Sequence, residues 1–159
     1  MTRLANETDF KFIYECYMHP QVNPFLLYEK MSLEDFRPIY DSLLKLQVKY
    51  IYSSGLEKAG MFKLIPLQYR SDHIVYLGGP AIAPSFSGKG EGSKMLGKII
   101  ALAKEKGFLR IELSVASTNE KAIQLYEKLG FEREGLLRKY THLKSEQRFM
   151  DEIMMSLLF

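Results

Sequence analysis

Cysteine occurs once in this chain, at Cys16. One thiol forms no intramolecular disulfide, which suits a reducing compartment, and a cytoplasmic protein is expected. Its place in an amphipathic helical pattern makes Cys16 a poor acyl-enzyme nucleophile. The 3 histidines are scattered, and with Cys16 they show no metal-ligand spacing, so no metal is expected. No apolar run approaches the roughly 20 residues that cross a bilayer. The opening Met1-Thr2-Arg3-Leu4-Ala5-Asn6-Glu7 lacks an apolar signal-peptide core. Neither membrane insertion nor export is therefore expected. Excess charge of one sign is also missing: 22 Lys and Arg against 19 Asp and Glu leave a net +3. That is too mild to argue for a nucleic-acid partner. Repeats, low-complexity tracts and linkers are absent, so residues 1–159 read as one domain. With 47% hydrophobic residues the chain can supply a core, and a chain of this size buries roughly two-thirds of its unfolded surface.

Patterning predicts a strand over Thr2–Ala5 and then a helix through Phe10, Ile13, Tyr14 and Tyr17, capped by Thr8 or Asp9. His19 to Lys30, with Pro20, Pro24, Phe25 and Tyr28, reads as an irregular aromatic loop. Ser32-Leu33-Glu34-Asp35 opens a second helix ending near Lys45, which Pro38 either bends or delays. Val48–Ser53 and Lys58–Leu64 form a hairpin about Gly55. A fourth strand, His73–Ala83, is interrupted at Gly78-Gly79-Pro80, a sign of a bulge or splay. A helix over Glu91–Lys106 stops at Gly107. Strand Leu109–Val115 follows, with Ile111, Leu113 and Val115 on one face and Glu112 and Ser114 on the other. Ser117-Thr118-Asn119-Glu120 spells a capping box, which makes Ser117 the expected N-cap of a helix stopped by Gly130. Strands Phe131–Leu143 and Arg148–Leu158, joined across Lys144-Ser145-Glu146, end the chain. The expected fold is α/β (α+β): a mixed, mostly antiparallel sheet of about seven strands with helices on both faces.

Two segments carry chemistry. Pro84-Ser85-Phe86-Ser87-Gly88-Lys89-Gly90-Glu91-Gly92-Ser93 lies between a strand and a helix. There, backbone N–H groups and the positive end of a helix dipole can hold a pyrophosphate. The bland alternative is a flexible turn before a surface helix. No Gly-Lys-Ser/Thr follows as in a Walker loop, and the third glycine of a dinucleotide fingerprint counted from Gly88 would fall on Ser93. The second segment is Asn119-Glu120-Lys121-Ala122-Ile123-Gln124-Leu125-Tyr126-Glu127-Lys128-Leu129-Gly130-Phe131. At about 100° per residue, seven steps bring Asn119 and Tyr126 to one helix face. Here the alternative is a helix-start residue and a core aromatic.

Together these segments resemble the GNAT superfamily of N-acetyltransferases. The family's acetyl-CoA signature, Arg/Gln-x-x-Gly-x-Gly/Ala, is met by Gly90 and Gly92 but has Ser87 at its leading position. The block Asn-x-x-Ala-x-x-Leu-Tyr-x-x-x-Gly-Phe is matched by Asn119, Ala122, Leu125, Tyr126, Gly130 and Phe131. The segment His19-Pro20-Gln21-Val22-Asn23 with Phe25-Leu26 is similar to the branch containing ribosomal-protein N-terminal acetyltransferases. The resemblance implies a splay between strands 4 and 5, with the pantetheine arm of acetyl-CoA against the main chain of Ala81 and Ile82, where Pro80 can only accept. It places the pyrophosphate on Gly88, Lys89, Gly90, Glu91, Gly92 and Ser93. A mild positive charge would help attract those phosphates, and Ser87 is expected to weaken their hold.

Asn119 would bond the pantetheine, and Tyr126 would be the general acid toward the departing thiolate. Glu112 is the candidate general base, against the plain alternative of a solvent-facing or lysine-paired carboxylate. His73 is a weaker one, and many members of the family need none. Phe25 and Tyr28 would shape the acceptor site for a small-molecule amine, an amino acid or a peptide N-terminus. The reading is an acyltransferase, monomeric or homodimeric; the alternative is a non-catalytic acyl-CoA-binding sensor or structural module.

Overall fold

Hydrophobic period switches between 2 and 3.6 along the chain, and the computed structural model, which describes residues 1–159, follows those switches. The elements are β1 (Thr2–Leu4), α1 (Phe10–Met18), α2 (Leu33–Leu46), β2 (Lys49–Ser54), β3 (Glu57–Pro66), β4 (Ile74–Ile82), α3 (Glu91–Glu105), β5 (Arg110–Ala116), α4 (Glu120–Lys128), β6 (Glu132–Leu143) and β7 (Arg148–Leu158). They form one 7-stranded sheet in the order β1-β2-β3-β4-β5-β7-β6. Every neighbouring pair is antiparallel except β4 and β5. No helix is long and apolar enough to cross a membrane.

That parallel pair positions the site. Its ladder holds only Ile74–Tyr76 against Arg110–Glu112. Beyond Tyr76 the strands part, because β4 carries an extra residue. Lys63 faces Gly78 while Met61 faces Ala81, so two steps on β3 meet three on β4. The bulge falls at Gly79 and Pro80, where Gly79 takes φ +52°, a left-handed value glycine tolerates without a Cβ clash. The expected mixed sheet and splay are thus present, and the Gly-Gly-Pro interruption accounts for the opening.

Each sheet face has its own core. Leu96 and Ile99 of α3 and Ile123 of α4 pack on Ile111, Leu113 and Met155. Ile13 and Tyr17 of α1 pack with Phe36 and Tyr40 of α2 on Ile51 and Met61. Pro38 lies within α2 without delaying its start, since the Ser32 hydroxyl oxygen already accepts the Asp35 N–H at 3.1 Å.

Two expected caps are corrected. Thr8 does not cap the first helix: Asn6 caps a single 3-10 turn, Glu7–Asp9, that leads into α1, and Asp9 returns a bond to the Asn6 N–H. Asp9 is the N-cap position of α1, but its carboxylate makes no cap bond there. Ser117 does not cap α4 either. Its N–H donates to the Asp151 carbonyl at 2.9 Å, which keeps it tied to β7, and Asn119 takes the cap, its Oδ1 accepting the Ala122 N–H at 3.3 Å.

The Asp9 carboxylate is fully buried between Arg3 and Lys58, at 2.7 Å from each. Burial raises its pKa, but hydrogen bonds from Arg3, Lys58 and Asn6 outweigh that and hold it at about 2. A carboxyl held below its unfolded value stabilises the fold above the unfolded pKa of about 4. That contribution is lost as pH falls toward 2. Asp9→Asn should therefore destabilise the protein by on the order of 2 kcal/mol at neutral pH, less than a wholly buried pair would lose because both cations are partly exposed. Its melting temperature should also fall less than the wild type's between pH 4 and 2; an unchanged acid slope would show that other carboxylates set the acid limit.

Candidate active site

The parted strands enclose a cavity of about 650 Å³ that runs through the sheet plane. Ala122, Leu125 and Tyr126 of α4 line it on one side, Val22, Phe25 and Leu26 of the loop between α1 and α2 on the other, and Gly79–Ile82 and Ser114–Ala116 form the flanks. Tyr76 Oη lies 2.9 Å from Ser114 Oγ, a bridge between β4 and β5 just past their last paired residues.

The glycine segment opens on the same space. Gly88 and Gly90 both take φ +76°, and a Cβ built on either meets no atom within 4 Å, so the loop is curled and uncrowded. Gly90 is the N-cap of α3 and offers no side chain. From Gly88 to Ser93 no main-chain N–H finds a protein acceptor; the first to bond is Lys94, to the Gly90 carbonyl at 3.3 Å. By contrast α2 and α4 are closed by Ser32 and Asn119. Unfilled N–H groups at a helix start, with the dipole behind them, make an anion cradle that fits a pyrophosphate. The Glu91 side chain points away from it. Lys94 and the Tyr52 hydroxyl each donate to that carboxylate at 2.7 Å and hold its pKa at about 2. Its anionic charge is thus neutralised and turned toward β2.

Main-chain alternation decides what β4 presents. The Ala83 N–H donates to the Ala59 carbonyl, and the Ala81 carbonyl lies 2.8 Å from where a Cβ on Gly60 would sit, so both residues address β3. The N–H and C=O of Ile82 therefore face the cavity. Ala81 contributes to its wall, and its hydrogen-bonding groups serve the sheet.

Tyr126 is 7% exposed and packs on Phe131 with ring centroids 5.6 Å apart. Burial, and secondarily Tyr76, push its phenol well above the ordinary tyrosine value, so it stays protonated. No protein hydrogen bond shifts it, and no buried polar side-chain atom in the fold lacks a partner, so its hydroxyl reaches the cavity. Asn119 lines the cavity as well, with Oδ1 engaged in the cap and Nδ2 left to donate.

Three expected site residues lie outside the lining. Glu112 sits on the anticipated strand and face but at the last paired rung, opposite Tyr76, below where the cleft opens. Its carboxylate accepts from Arg110 Nε at 3.1 Å. Tyr28 packs edge-on to Tyr17 and Phe36. Lys89 turns its Nζ to the Ser85 carbonyl at 2.9 Å. Other lining residues went unpredicted. Lys121, Gln124, Leu125 and Lys128 share one side of α4, and the 3, 4 and 7 spacing would have identified that side. Gln21 and Glu152 carry no such local signal.

The profile of the acetyltransferase (GNAT) family matches residues 11–131. An uncharacterised N-acetyltransferase of Methanocaldococcus jannaschii is 34% identical over 62 residues, 39% of this chain and 27% of that protein. The chain thus spans only about a quarter of that relative. Among solved structures, a spermidine N-acetyltransferase from Vibrio cholerae in complex with CoA and spermine superposes with a TM-score of 0.86 at 21% identity, covering 99% of this chain and 94% of the other. A ribosomal-protein-alanine N-acetyltransferase from Brucella melitensis gives 0.81 at 19% identity, with coverage of 100% and 99%. At these identities the structural matches establish the shared fold.

Proposed function

The chain belongs to the acetyltransferase (GNAT) family, and from that premise we propose that it is an acetyl-CoA-dependent N-acetyltransferase acting on a primary amine. The observation that carries this reading is that the unfilled donors from Gly88 to Ser93 and the free phenol of Tyr126 open on one cavity. N–H groups of the glycine segment hold the pyrophosphate, with the α3 dipole behind them. Ile82 offers its main chain to the pantetheine as an added strand would, and Asn119 adds its Nδ2. The thioester carbonyl then rests in the splay, and the amine enters past Phe25. Its nitrogen lone pair forms the C–N bond, the C–S bond breaks, and the Tyr126 O–H gives its proton to the leaving sulfur. The phenolate is reprotonated from solvent, and the proton left on nitrogen goes to water. Holding both reactants in one cleft supplies much of the acceleration. Glu112, held by Arg110 below the opening, has no part in this scheme.

The test is thiol release from acetyl-CoA with a panel of amino acids, polyamines, aminoglycosides and short peptides. Spermidine and an alanine N-terminus head the panel, because similar folds carry those names. Turnover with one class is expected. Stabilisation by acetyl-CoA with no turnover across the panel would favour an acyl-CoA-binding module, to which Ser87, in place of the family's Arg or Gln, gives a foothold.

A further inference from the structure

Two carboxylates line the cavity, and only one is already satisfied. Glu91 is taken by Lys94 and Tyr52. Glu152, on β7, pairs across the sheet with Ala116 where β5 ends, on the same face as Ser114. It accepts one hydrogen bond, from Thr141 Oγ1 to Oε1 at 2.6 Å, and no lysine or arginine pairs with it. Its second oxygen has no protein donor. A half-buried carboxylate with no cation at ion-pair distance, in a cavity lined in part by apolar side chains, is incomplete electrostatically.

The fold also shapes a holder for it. Leu137 faces Glu152, yet Thr141 faces Met150, so three residues of β6 bulge out opposite Asp151 alone. Lys139 within that bulge takes φ +50°, and its N–H donates to Asp151 Oδ1 at 2.7 Å. The bulge brings the Thr141 hydroxyl diagonally onto Glu152, leaving the other carboxylate oxygen free.

We propose that Glu152 is the acceptor anchor: its free carboxylate oxygen receives the ammonium of the incoming amine beside the splay. This rests on the acetyltransferase reading and narrows it. One cavity carboxylate free of a protein cation, in a lining that includes Val22, Phe25 and Leu26, suits an acceptor with one positive charge on a largely apolar stem. Loss of one ammonium proton to water precedes attack, and the anchored nitrogen is then already in place.

Glu152→Gln keeps the shape and the Thr141 contact but removes the charge. It should raise KM for the amine roughly 10- to 100-fold, the scale of a lost charge-assisted hydrogen bond. The effect on kcat should be much smaller, with acetyl-CoA affinity and melting temperature unchanged. Glu152→Asp should recover part of the loss, and Thr141→Val should raise KM a few-fold by freeing the carboxylate. Calorimetric titration of the preferred amine into CoA-saturated protein gives a readout independent of turnover, and Glu152→Gln should weaken that binding by the same factor. Wild-type turnover with an unchanged amine KM in Glu152→Gln overturns the anchor alone. A variant that loses acetyl-CoA affinity or melting temperature to the same extent makes Glu152 a structural residue and also overturns it. If the wild type neither acetylates nor binds any amine on the panel, both the anchor and the acetyltransferase reading fall.

Discussion

Tyr126→Phe should lower kcat by about 10²- to 10⁴-fold, the usual contribution of a positioned general acid, while acetyl-CoA binds as before. The substitution is clean because the ring stays. Phe131 keeps its aromatic partner, and the hydroxyl being removed holds no protein group. Stability should accordingly stay within about 0.5 kcal/mol of wild type, since no partner is left unpaired. Thiol release measures the rate, calorimetry the affinity, and a thermal melt the fold. The pH dependence has a definite sign. Burial moves this phenol upward, so its acid form persists through the range in which a free tyrosine begins to ionise. No loss of kcat below about pH 10 should trace to Tyr126, and any basic limb it causes lies higher. Full activity in Tyr126→Phe with every amine would remove the acid role and leave positioning as the source of rate.

Gly90→Asp should separate binding from folding at the other end of the cavity. A Cβ at this position meets nothing within 4 Å, so the obstacle is the backbone, at φ +76°. Aspartate is among the few residues that tolerate that region, and it is a favoured helix N-cap. The fold should therefore keep its stability to within about 1 kcal/mol. Cofactor affinity should not survive so well. The new carboxylate takes up the N–H groups that Glu91, Gly92 and Ser93 now leave unfilled, and it repels the pyrophosphate. A loss of at least about 100-fold in acetyl-CoA affinity is expected, since like charges in contact cost several kcal/mol. Gly90→Asn caps without charge and should lose less. Wild-type affinity in Gly90→Asp would place the pyrophosphate elsewhere.

What could be read from the residues follows how far apart in the chain the interacting groups lie. The glycine segment and the Asn119–Tyr126 spacing each sit within a dozen residues, and strand–turn–helix context is written by hydrophobic period. The interruption at Gly78-Gly79-Pro80 likewise announced a bulge or splay. Ser117 shows where local reading fails. Its capping box is complete in sequence, but its N–H is taken by Asp151 from another strand, and the cap moves to Asn119.

Glu112 lies outside the cavity lining for a related reason. Its strand and face follow from alternation, but whether a carboxylate there meets the cleft depends on where β4 and β5 stop pairing, and they stop one rung too late. Glu152 is the converse. In sequence it is one acid in the apolar last strand; its place beside the cavity arises from the pairing of β7 with β5 and from a bulge in β6. The mixed sheet with helices on both faces, the glycine turn before α3 and the helix that carries the phenol were legible in the residues, because those depend on near neighbours and on period. Which carboxylate lines the cavity depends on tertiary structure, because strand register and the rung at which two strands part are set by contacts between segments distant in the chain.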